Sequence, residues 1–289
     1  FGWAMLMLYA VSIDPRDPMI TRDYVQYLTS NAVLIGAEFD KIASILAFTA
    51  ILSIALLRGR DLLQRAVVEG FAKQDLSRFF DPGIASRITA RGHELAAGRG
   101  EARDAAILHL DIRGFTQVAR ELPPDTVTRL IAECQAVVVP VLQRHGGAID
   151  KFLGDGVMAT FGAVIPSDTY AADGLRALKA ALSSANAWAS QAIEGVALTV
   201  NGALATGRVV FGAVGDANRL EYTVIGAAVN LAAKLEKHNK VLGSKGLVTA
   251  ATYELASVQG YSSEDAAERV PSARIEGVDQ PIDLVVVAR

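Results

Sequence analysis

Asp111, in ILHLDIRGFT, and Asp155, in DKFLGDGVMATFG, each follow a short apolar run within the stretch 107–162, with glycines close by. A carboxylate at the end of a buried strand is costly unless a cation or hydrogen-bond donors meet it. Two of them on adjacent strands can share one or two Mg²⁺ ions with the phosphates of a nucleotide, because Mg²⁺ takes a few carboxylates together with substrate oxygens. Arg113-Gly114-Phe115-Thr116 follows Asp111 as a turn into a helix, so backbone N–H groups there can face a phosphate.

The elements that must position these groups are legible in the hydrophobic pattern. Residues 105–112 form a continuous apolar run broken by His109, which reads as a strand buried on both faces. Residues 149–152, the turn Gly154-Asp155-Gly156 and residues 157–161 read as a hairpin with Asp155 at its tip. From Asp104 onward the order is strand, helix, hairpin, helix, strand pair, helix, strands, which suits an α+β sheet with helices packed on it. Helices are expected at 124–144, kinked by Pro140 and ended by Gly146-Gly147, at 170–192 and at 227–239. Strands at 196–205 and 208–214 are expected to pair across Thr206-Gly207. A strand at 246–250, a turn around Tyr253, a polar loop at 259–268 and a last strand pair at 273–276 and 282–287 complete the expectation.

Of the 289 residues, 51% are apolar, and the excess is concentrated near the start of the chain, which points to membrane segments rather than a larger core. The net charge of −3 gives no reason to expect nucleic acid as a partner. The single cysteine, Cys134, lies at helical spacing with Ile131, Val137 and Val138 and reads as a buried apolar residue. One cysteine excludes a disulfide framework and a Cys/His metal site.

Residues 1–13 are apolar and carry no basic leader or cleavage signal, so they read as the tail of a truncated membrane helix. Residues 14–40 read as an external loop leading into a helix. Residues 42–57 hold no charge and read as a transmembrane helix, with Lys41 snorkelling and residues 32–39 extending it. Arg58, Arg60 and Arg65 follow it, whereas Asp14, Asp17, Glu38 and Asp40 precede it, which puts everything after Leu57 on the cytoplasmic side. The expected division is a membrane segment at 1–57, a cytoplasmic helical neck and linker at 58–100, and a third domain at 101–289. In the neck, a mixed-charge helix at 61–80 is broken by Asp81-Pro82-Gly83, and a short helix at 84–89 leads to a linker at 92–100.

LDIRGFT, KFLGDGVMATFG and a third segment at 221–236, EYTVIGAAVNLAAKLE, occur in an order that resembles the class III adenylate and guanylate cyclases, over residues 104 to about 287. The resemblance implies a ferredoxin-like antiparallel sheet with packed helices and a head-to-tail homodimer with two active sites at its interface. It implies that Asp111 and Asp155, with the Ile112 carbonyl, hold two Mg²⁺ or Mn²⁺ ions per site. The amides of Phe115 and Thr116, with Arg208 in ATGRVVFG, would grip the β- and γ-phosphates. From the second chain, Lys151 would donate to adenine N1, Thr223 would accept from the adenine N6 amine, Asn230 would orient the ribose and Lys234 would meet charge on the transferring phosphoryl. A Lys/Thr pair is the ATP-reading version of this family. The expected function is therefore a membrane-anchored adenylate cyclase making 3′,5′-cyclic AMP and pyrophosphate.

Two departures stand against that pattern. Lys234 occupies a position where the family usually has arginine, and a lysine lacks the bidentate fork that suits a phosphoryl oxygen. Glu276 precedes Gly277 where the family tends to have lysine, and Arg274 is expected on the same strand face as a substitute. The alternatives are a guanylate or promiscuous cyclase, or a catalytically weak cyclase-fold module that dimerises in signalling.

Overall fold

The apolar run around Leu108 is the middle of a longer strand in the computed structural model of this chain. The structure describes residues 20–30, 33–79, 100–192, 198–216, 220–263 and 267–289, together with Gly2, Leu6, Tyr9, Ser12 and Ile84, with the backbone alone for Ile20, Val33, Ile35, Ala37, Glu38 and 61–79. The expectations for 1–19 and for 80–99 lie almost entirely outside these residues, as do those for the side chains of the helix at 61–79. By contact density the chain divides into two compact units, Phe1–Gln74 and Asp75–Arg289.

In the first unit, β1 (Ile20–Thr21) pairs in parallel with β2 (Val33–Leu34), and α1 (Tyr24–Thr29) lies between them in sequence, capped by the Asp23 carboxylate on the Val25 amide. The expected loop thus holds a small folded element of its own. Helix α2 (Ile35–Phe79) then runs for 45 residues without a break. Its segment Phe39–Arg60, 22 residues with mean hydropathy 2.0 and none of it buried, is long and apolar enough to cross a membrane.

The second unit is built on one mixed sheet with helices on both faces. Its elements in chain order are β3 (Gly100–Arg113), α3 (Phe115–Ala119), α4 (Pro124–Arg144), β4 (Ala148–Leu153), β5 (Gly156–Phe161), α5 (Tyr170–Ala189), β6 (Thr199–Gly215), β7 (Leu220–Ile225), α6 (Ala227–Leu242), β8 (Gly246–Thr249), α7 (Ala250–Val258), β9 (Glu268–Ala273) and β10 (Ile282–Ala288). Among the described residues the sheet runs β4-β5-β3-β6-β8-β10-β9, with β7 also on β6, and every pairing is antiparallel except β6 with β8. Alternation along β3 splits the core between the two faces. Leu108 and Leu110 pack with Leu130 and Leu142 of α4 and with Leu175 and Leu178 of α5, while Ile107 packs with Ala232 and Leu235 of α6. Cys134 is buried in the first of these cores, and burial pushes its thiol up to about 12, so it is chemically inert.

Three expectations are corrected. The strands at 196–205 and 208–214 are not a hairpin: β6 is one strand that pairs with β3 in unbroken register from Thr199↔Arg113 to Gly212↔Gly100. Gly207 permits a close approach there, not a turn, since a Cβ on it would stand 3.2 Å from the Ala228 Cβ of α6. The chain reverses later, between Gly215 and Leu220, and β7 folds back along the second half of β6. Tyr253 lies within helix α7, which the Thr249 hydroxyl caps by accepting from the Thr252 amide at 3.0 Å. The strand expected at 273–276 is β9, five residues earlier, because residues 275–278 form a turn closed by the Val278 amide on the Ile275 carbonyl. Arg274 is therefore beyond the strand, not on its face.

Candidate active site

Asp111 lies near the end of β3 and Asp155 in the two-residue loop, Gly154-Asp155, that joins β4 to β5. The β3 register against β5 ends at Leu110↔Val157, which brings that loop alongside Asp111, and the two carboxyls are within hydrogen-bonding reach of each other. Gly156 makes the approach possible: a Cβ there would stand 3.0 Å from the Leu110 carbonyl oxygen and 3.2 Å from Asp111 Oδ1. Burial first, then the charges of Asp155 and Glu236, push the Asp111 carboxyl up to about 7. Two bays back on the same face, burial holds His109 down to about 4, so it is neutral and offers no counter-charge.

The two aspartates, with Glu236 near them, form an acidic cluster whose repulsion a cation would relieve. Among the described residues no group of three or more His, Cys, Asp or Glu is placed to hold an ion by itself. A pair of carboxylates with a strand-end carbonyl at Ile112 suits Mg²⁺ or Mn²⁺, which complete their shell with water and substrate oxygens. Behind the pair stand Asn201 and Glu236. Asn201 is the β6 register partner of Asp111, is almost wholly buried, and donates to the Glu236 carboxylate of α6. Sequence reading missed both, because an asparagine in mid-strand and a glutamate on a mixed helix carry no local signature.

Of the groups expected to grip phosphate, Phe115 and Thr116 follow directly on the end of β3 that carries Asp111. They open α3, whose internal hydrogen bonds begin at Gln117 donating to the Gly114 carbonyl at 3.0 Å, so their own amides lie ahead of the ladder. Arg208 is not brought to this place. It pairs with Asp104, seven residues back along β3 from Asp111 and on the other face of the sheet, about 23 Å away along the strand. Its expected place came from the resemblance carried by ATGRVVFG, not from a reading of the strands. On the aspartates' face and at the same end of β3 as Asp111 is Arg113, which donates to the Ser244 carbonyl at 3.0 Å and faces Glu236.

Lys151 and Thr223 are brought together. Register slips between Ile149↔Ala159 and Lys151↔Met158, so Asp150 is the extra residue of a bulge in β4. The bulge turns both Asp150 and Lys151 towards β7. There Thr223 Oγ1 donates to Asp150 Oδ2 at 2.8 Å, and the Lys151 ammonium pairs with Glu221 and lies 3.6 Å from Asp150 Oδ2. Asn230 and Lys234 lie one turn apart on α6, Asn230 exposed, and the Lys234 ammonium donates to the Gly277 carbonyl of the late turn. Asp155 and Lys151 thus sit four residues apart on one hairpin yet face different neighbours, β3 and β7.

The family model of the adenylate and guanylate cyclase catalytic domain matches residues 99–277. An uncharacterized protein of Mycobacterium tuberculosis (strain ATCC 25618 / H37Rv) is 31% identical over 250 residues, 78% of this chain and 44% of that protein. The chain therefore spans less than half the length of that relative. The crystal structure of the adenylyl cyclase CyaB from P. aeruginosa is similar at 27% identity and a TM-score of 0.53, covering 66% of this chain and 97% of that one. That of the guanylyl cyclase Cya2 is similar at 27% identity and a TM-score of 0.54, covering 65% and 92%. Adenylyl and guanylyl cyclases thus stand at the same identity, and likeness alone does not choose the base.

Proposed function

This chain belongs to the adenylate and guanylate cyclase catalytic-domain family, and from that membership we propose that it converts ATP to 3′,5′-cyclic AMP and pyrophosphate at sites shared between two copies. In the reaction the ribose 3′-oxygen bonds to the α-phosphorus, the bond from that phosphorus to its bridge oxygen breaks, and pyrophosphate and one proton leave.

Asp111 and Asp155, with the Ile112 carbonyl, would hold two Mg²⁺ or Mn²⁺ ions, which when bound lower the pKa of the 3′-hydroxyl and neutralise the triphosphate. The amides of Phe115 and Thr116 orient the β- and γ-phosphates. From the second copy, Lys151 and Thr223 read the base, Asn230 orients the ribose and the Lys234 ammonium meets charge on the phosphoryl group. The observation that carries this reading is the divided hairpin, with Asp155 facing Asp111 on β3 and Lys151 facing Glu221 on β7. One nucleotide has no reason to be met by both ends of that hairpin, whereas a two-fold pair of copies uses each end for a different nucleotide.

A dimer is supported by the apolar residues exposed around the base-reading end. Phe152 and Leu153 of β4, Val210 of β6 and its register partner Ile225 of β7 are each about half exposed. Anchorage to a membrane through Phe39–Arg60, with the catalytic domain at 101–289 on the cytoplasmic side, is supported by the hydropathy of that helix and by Arg58 and Arg60 at its end. A second reading, a catalytically weak signalling module, is favoured by the engagement of Lys234 with Gly277 within its own chain.

The test is an assay of the full chain in membranes with ATP or GTP and Mg²⁺ or Mn²⁺. Cyclic AMP as the dominant product supports the proposal, cyclic GTP-derived product in excess transfers it to the guanylate alternative, and no product from either leaves the signalling module.

A further inference from the structure

Asp150 is the residue of the base-reading cluster that fold stability does not explain. Its side chain is 1% exposed, and while Oδ2 accepts from Thr223, the buried Oδ1 has no hydrogen-bond partner among the described residues. An apolar residue in a regular strand would be cheaper than a carboxylate with one orphaned oxygen, so the bulge and the acid are features the sheet itself does not need.

We propose that Asp150 is a positioning residue that sets the choice of base: its carboxylate takes the Thr223 hydroxyl proton, so that towards a bound base Thr223 offers a lone pair only. A threonine hydroxyl has one proton and two lone pairs. With the proton committed at 2.8 Å to Asp150 Oδ2, the free side of the oxygen accepts and does not donate. Beside it, the Lys151 ammonium has three protons, of which Glu221 engages one. The pair therefore presents an acceptor next to a donor. Adenine matches both, with its N6 amine donating and its N1 accepting. Guanine mismatches both, since O6 faces the Thr223 lone pair and N1–H faces the ammonium. The Asp150 carboxyl stands above its ordinary value, raised by burial and by the Glu221 charge and held back by the Thr223 hydroxyl, the Lys151 ammonium and the Val224 amide. The charged form is the one that demands the proton.

This inference rests on the ATP-cyclase reading, and the experiment separates the two. In full-length chains in membranes, kcat/KM is measured for ATP and for GTP in the wild type, Asp150→Ala, Asp150→Asn, Thr223→Val and the Asp150→Ala/Thr223→Val double variant. The ATP-over-GTP ratio is expected to fall about tenfold in Asp150→Ala, the weight of one hydrogen bond. Asp150→Asn keeps the shape but not the charge and is expected to lower the ratio in the same direction. Thr223→Val is expected to lower it alike, and the double variant no further, because Asp150 acts through Thr223. An equal loss of both activities in the two Asp150 variants, partial or total, overturns the proposal, as does a double variant whose losses multiply. A wild-type chain that makes no cyclic nucleotide, or prefers GTP, refutes the underlying reading instead.

Discussion

A carboxylate buried beside a second carboxylate weakens the fold that holds it unless a proton or a cation comes with it, and Asp111 is in that position. Its folded-state pKa, about 7, stands above the ordinary 3.8, so its contribution to stability is present on the acid side and is lost as pH rises through 7. His109 works in the opposite sense. Held down to about 4 from 6.5, it costs stability only as pH falls below 6.5, so the window above that isolates the aspartate. In chelator, Asp111→Asn is therefore expected to have a higher Tm than the wild type at about pH 8, with the gap narrowing towards about pH 6.5, while losing metal-dependent turnover. A Tm difference that is absent or reversed would show that Asp111 is not under charge strain. Asp111 and Asp155 were legible because apolar runs that end on acids break a strong pattern. Asp150 was not, since a bulge adds a residue without any local signal, and the side chain it redirects is identified only by its partner on β7, over seventy residues away in sequence.

The element that most shapes the site is β6, and local pattern reads it as two strands rather than one. Thr206-Gly207 looks like a turn because glycine beside a polar residue usually marks one. Pairing with β3 and the close approach of α6 keep it extended instead, and tertiary contacts of this kind are outside the reach of local pattern. Helix α7 escaped for a related reason: its nine residues are too short to show a period, and the signal that starts it is the Thr249 cap. The longer helices α4, α5 and α6, with two turns or more of apolar spacing, were read to within three residues at either end. Where elements meet, small residues set the distance. A Cβ on Gly202 of β6 would stand 2.5 Å from Leu110 Cδ2 and 2.7 Å from Leu178 Cδ1 of α5. Gly202→Ala is thus expected to cost about 1–3 kcal/mol, seen as a lower Tm of the full chain. An unchanged Tm would mean that α5 can lift from the sheet at no cost.

For the molecule as a whole, the two compact units carry separate expectations. Among its described residues the first has one helix fit to cross a membrane, and the second has the cyclase fold. In the proposed shared site, chemistry and assembly meet at the hairpin that carries both Asp155 and Lys151. If a site draws its metal carboxylates from one copy and its base-reading pair from the other, Asp155→Ala and Lys151→Ala each inactivate both sites of their own homodimer. Co-expressed, the two variants form mixed dimers in which one site carries both lesions and the other carries neither. With random pairing about half of the dimers are mixed, each with one intact site of two, so activity is expected to recover to about a quarter of wild type at equal total chain. Cyclic AMP formation by membranes in which both tagged variants are shown to co-purify is the measurement. Recovery near that level is the result expected of a site shared across two copies, and no recovery in demonstrably mixed dimers would contradict it.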